Sequence, residues 1–104
     1  MNEDSQIVVP DSFVALFKPA GAIKPVESSD VIAARHELCE DMAQMLTETA
    51  RSTMFELGIA EDDVLERVQQ GLLAEGSVVS AAEAWWVTGR LAELLEWPLP
   101  AALG

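Results

Sequence analysis

A chain of 104 residues, half of them hydrophobic, can bury one core and is too short for two. Eighteen Asp and Glu against six Lys and Arg leave a formal charge of −12. That balance excludes direct binding to nucleic acid and adsorption to an anionic membrane, because both need clustered cations, and here no two of the six are neighbours in sequence.

A single cysteine, Cys39, rules out an intramolecular disulfide and a Cys-rich zinc site within one chain. The opening Met1-Asn2-Glu3-Asp4-Ser5-Gln6 is acidic and polar where a signal peptide is basic and then apolar. No apolar run reaches the roughly 20 residues that a membrane span requires. These features predict a protein of the reducing cytoplasm.

Residues 1 to 6 read as a frayed tail, and Ile7-Val8-Val9 as a short extended stretch that Pro10 keeps out of helix. Pro10 suits a first helical position, and Phe13, Leu16 and Phe17 then share one face, which predicts a short helix over Pro10 to Phe17. Pro19, Gly21 and Pro25 make Lys18 to Glu27 a loop. Ser28 and Ser29 can cap the next helix, Asp30 complements its dipole, and no Gly or Pro interrupts it before Gly58. Along Asp30 to Leu57 the residues Val31, Ala34, Leu38, Met42, Met45, Leu46, Ala50, Thr53 and Leu57 form the expected apolar stripe.

Glu61-Asp62-Asp63 marks the next helix start. Val64, Leu65, Val68 and Leu72 are its expected buried side, and Gly76 its expected end. Ser80-Ala81-Ala82-Glu83 is a capping box opening a last helix that runs to about Glu96, before Pro98. Its apolar residues leave few polar gaps, which predicts burial on most sides. The architecture expected is all-α: a small bundle of three main helices (28–104) behind a segment, 1–27, that holds the tail, the short helix and the loop.

A continuous helix over 30–57 is roughly 42 Å long, more than a globule of this size encloses. Trp85 and Trp86 point about 100° apart on their helix, so one small monomer can bury both only by nearly surrounding it. Both features predict either a homodimer or, for the long helix, a kink near Ser52-Thr53.

Candidate chemistry is sparse. His36, Cys39 and Glu40 converge on one helical face and are metal-capable, yet His36 is the sole histidine and a helical carboxylate site needs more ligands. Gly71-Leu72-Leu73-Ala74-Glu75-Gly76-Ser77-Val78 has the glycine spacing of a phosphate loop, but Ser77 stands where the lysine belongs and Val78 where the magnesium ligand belongs. No Gly-x-Ser-x-Gly elbow exists. No catalytic residue, cofactor or metal is therefore assigned. The candidate interaction surface is Phe13, Leu16, Phe17, Trp85 and Trp86, with Phe13, Leu16 and Phe17 forming either a lid on the bundle or a docking helix.

Three stretches, Val9-Pro10-Asp11-Ser12-Phe13, Arg35-His36-Glu37-Leu38-Cys39-Glu40-Asp41 and Gly76-Ser77-Val78-Val79-Ser80-Ala81-Ala82-Glu83-Ala84, resemble a group of short bacterial proteins labelled "ATPase with chaperone activity". The likeness extends along most of the chain. It implies a chaperone-like role and carries over no site residue. The reading that follows is a non-enzymatic helical interaction module, expected to be a homodimer with a further protein partner. An acidic decoy for a basic nucleic-acid-binding partner and a metal protein using His36, Cys39 and Glu40 are the alternatives.

Overall fold

The computed structural model describes residues 8–100 and Leu103; the expected tail at 1–6 and Ile7 lie outside the described residues. Four helices follow in order: α1 (Asp11–Val14), which runs into a 3-10 turn (Ala15–Phe17), α2 (Ser29–Leu57), α3 (Glu61–Leu73) and α4 (Ala81–Leu95). The fold is all-α, and no strand occurs among the described residues. Packing divides the chain within α2 into two compact units, one ending at Leu38 and the other beginning at Cys39.

In the first unit Pro10 stands just before the helix, in extended conformation, and its carbonyl accepts from the Phe13 and Val14 amides at 2.9 and 3.1 Å. A proline there loses nothing by having no N–H, because that first-turn donor would have no helical acceptor. The loop after Phe17 is tied at its far end, where the Val26 amide donates to the Phe17 carbonyl at 2.8 Å. The hydroxyl of Ser28 then accepts from the Val31 amide at 3.3 Å and starts α2.

α2 is one unbroken helix of 29 residues, so no break occurs at Ser52-Thr53. Gly58 follows it with φ +64°, the left-handed conformation that only glycine adopts without a steric cost. The buried side of α2 differs from the expected stripe. Ile32, Cys39, Ala43 and Ala50 are buried, whereas Val31, Ala34, Met45 and Leu57 face water. Small apolar residues occur nearly all round this helix. Sequence spacing leaves its rotation open.

In the second unit α3 begins with Glu61, Asp62 and Asp63 at its positive dipole end. It finishes at Leu73, one turn short of Gly76, because the Ala74 amide tightens onto the Gly71 carbonyl at 3.3 Å. Gly76, φ +87°, instead turns the connection. The capping box of α4 is complete: Ser80 Oγ accepts from the Glu83 amide at 3.1 Å, and Glu83 Oε1 accepts from the Ser80 amide at 2.9 Å. At its other end Glu96 takes φ +60°, and the Trp97 amide reaches back to the Ala92 carbonyl at 2.9 Å.

α3 and α4 pack closely together. The core gathers Ala50 of α2, Val64 and Leu65 of α3, and Leu91, Ala92 and Leu95 of α4, with Leu103 beyond the last helix. Burial along α4 follows one face, Ala84, Val87, Thr88, Leu91, Ala92 and Leu95. α4 is therefore not enclosed on most sides as its composition predicts. Its outer side carries Trp85 and Glu93 in water.

Candidate interaction surfaces

The short N-terminal helix turns Phe13 inward. Its ring is fully buried, 5.5 Å from the ring of Phe17 and 5.3 Å from that of His36, which it meets edge-on at 66°. Leu16 and Phe17 are half-buried beside it. Of the three apolar residues proposed as a docking face, Phe13 is thus committed to its own unit, with the imidazole of the first turns of α2 as its neighbour.

Cys39 and Glu40, expected beside His36, both serve packing. The Cys39 thiol is fully buried. The Glu40 carboxylate grips Arg90 of α4 in a two-pronged ion pair, Oε1 to Nε at 2.8 Å and Oε2 to Nη2 at 3.1 Å, and Oε2 also accepts from Gln44 at 2.7 Å. Arg90 reaches Glu93 as well, at 3.2 Å. The Glu40 hydrogen bond raises the Arg90 pKa above its ordinary value, against the opposing effect of desolvation, and the Glu93 hydrogen bond adds to the rise. The guanidinium therefore stays charged throughout the accessible pH range. A carboxylate bound on both oxygens is a poor metal ligand. Among the described residues no three His, Cys, Asp or Glu side chains are grouped to hold an ion.

The Gly71–Gly76 segment is the end of α3 and a turn, with a helix before it where a phosphate loop has a strand. The following helix start is filled by its own carboxylate, Glu83, which is buried. An anion would meet that negative charge rather than free amides. The outer side of α3 holds an open depression lined by Ile59, Asp63, Glu66, Arg67 and Gln70, a set without a nucleophile or an imidazole.

Among its exposed acids the second unit also leaves large apolar side chains in water. Phe55 is 88% exposed and Met45 72% exposed on the outer side of α2, and Trp85 is 42% exposed on α4, beside a half-buried Trp86. Gly89 lies one turn beyond Trp85, and a methyl group added to it would meet nothing within 4 Å. Sequence reasoning flagged the tryptophans. It missed Phe55 because helical spacing leaves that residue outside the expected stripe, where a single exposed apolar residue carries no signal of its own. No protein-family model, curated protein or solved structure matches the chain.

Proposed function

We propose that this chain is a non-enzymatic helical interaction module of the cytoplasm, an adaptor, regulator or chaperone-like partner, that associates with itself through the outer face of α4. The observation carrying this reading is Trp85, 42% exposed on that face while the opposite side of α4 is buried in the core. Exposed tryptophan is the residue type most enriched where interfaces concentrate their binding energy. Beside it, Gly89 gives a second helix room for close approach, while an interior glycine costs α4 about 1 kcal/mol relative to alanine. The residues of candidate reactive groups support the non-enzymatic half: Glu40 is taken by Arg90, Cys39 is sealed, and Glu83 closes its own helix. No helix among the described residues is long and apolar enough to cross a membrane.

Light scattering at micromolar concentration tests the self-association. The expected mass is twice the 11.2 kDa of one chain, returning to that of one chain in Trp85→Glu. A single-chain mass at every concentration would remove self-association from the reading.

A further inference from the structure

On α2, Met45 and Phe55 project from the side opposite the buried Ala43 and Ala50. Ten residues separate them, about 15 Å along the axis, or nearly three turns. Between them lies the small Ser52, and Asp41, Glu48 and Glu56 share the same exposed side. The result is a ridge with two apolar knobs framed by three carboxylates, in a chain whose net charge is −12. From this geometry we infer that the outer face of α2 is a docking site for a basic amphipathic helix of another protein. The inference rests on reading the chain as an interaction module.

Charge decides the occupant. A second copy laid antiparallel about the centre of the ridge sets its Arg51 beside Glu48, but it brings only that one cation to meet the three carboxylates Asp41, Glu48 and Glu56. A parallel copy sets Asp41, Glu48 and Glu56 against themselves. Nucleic acid and anionic lipid are repelled by the same carboxylates. A helix with Leu, Ile or Phe along one side and Lys or Arg on its flanks satisfies both features. Its apolar side covers Phe55 and Met45, and its cations meet the acids. Met45 suits such a site, since an unbranched thioether adapts to differently shaped partners.

The test uses the full chain and two synthetic peptides of about 18 residues, five turns of helix. Both have one Leu/Lys composition; in one the leucines share a helical face, and in the other they are spread around it. Isotope-edited NMR reads where each binds. The amphipathic peptide is expected to shift resonances of residues 41–56 and to bind about tenfold more tightly than the spread one, a difference typical of one buried apolar anchor. Phe55→Ser and Met45→Ser, both at exposed positions, should each weaken binding roughly fivefold to tenfold with the melting temperature unchanged. Glu48→Lys with Glu56→Lys should weaken it and flatten its salt dependence.

Equal binding of the two peptides, or indifference to Phe55→Ser, overturns the inference in favour of charge alone. Shifts centred on Trp85 overturn it while leaving the module reading intact. Loss of a dimer mass in Phe55→Ser makes a second copy the occupant, which also overturns it. If neither peptide binds and the chain is monomeric, the module reading fails with it.

Discussion

Gln69 is 3% exposed, and its amide meets Thr88 of α4 across the α3–α4 contact. With Oε1 toward Thr88, a single hydroxyl proton is contested by Gln69 and by the Ala84 carbonyl at 3.0 Å. Nε2 then has no partner among the described residues. Turned over, the amide donates to the Thr88 oxygen and the hydroxyl donates to Ala84, which leaves a carbonyl oxygen unmet instead. Either orientation buries one unsatisfied group, at a cost of about 1–3 kcal/mol. Gln69→Met keeps the volume and lets Thr88 bond Ala84 alone. The urea midpoint should rise, by roughly 1 kcal/mol of stability. A lower midpoint would show that the Gln69–Thr88 bond outweighs the orphan. Helical spacing already places position 69 one turn beyond Leu65 on the buried side of α3, but it could not supply the partner, because Thr88 meets Gln69 only through the way α3 and α4 pack. Gly89 is a second residue whose effect is separable. Gly89→Ala should stabilise the monomer by about 0.5–1 kcal/mol, since nothing obstructs the new methyl group. The same change should weaken self-association if the α4 faces meet there, so unfolding and light scattering move in opposite directions.

Among the elements, the helix starts were the most legible in sequence and the rotation of α2 the least. Ser80 and Glu83 close a reciprocal pair of hydrogen bonds within four residues, so local chemistry alone specifies it. Ser80→Ala is expected to cost about 1 kcal/mol, read as a lower melting temperature, because it frees the Glu83 amide and loosens a buried carboxylate. Glu83→Gln should retain most of that stability, as a glutamine side chain can still accept from the Ser80 amide. α2 behaves differently. The steps from Ala34 to Leu38 to Met42 are four residues each, and every such step drifts about 40° round the helix. An apolar path built from them starts at exposed Ala34, away from the face that Ile32, Cys39, Ala43 and Ala50 bury, and turns toward that face only gradually. Further along, Leu46, Ala50 and Thr53 lie on the path and are buried or half-buried, so the expected stripe and the buried face converge there. The drift also hid the ridge, since it placed Met45 in the core and left Phe55 unassigned. The C-terminal contribution was illegible for another reason. Trp97 and Leu103 pack at the core from beyond the last α-helix, where no periodicity marks them.

For the whole molecule, eighteen carboxylates against six cations set how stability responds to salt. The two-pronged contact of Arg90 with Glu40 is an attractive pair that added ions weaken, and it is partly shielded, with side chains 33% and 24% exposed. Against it stand many exposed carboxylates repelling one another over distances comparable with the Debye length of about 8–10 Å at physiological salt. Those repulsions act in the compact state more than in the extended chain, so screening them favours folding. Raising sodium chloride from about 20 mM to about 500 mM, which shortens the Debye length severalfold, should therefore raise the melting temperature followed by circular dichroism. In Arg90→Met the rise should persist or grow, because the attractive contacts of Arg90 with Glu40 and Glu93, which salt opposes, are gone. A melting temperature that falls with salt would mean that ion pairs hold the fold together. The acidity would then be structural, and it would no longer be free to select a basic partner along α2.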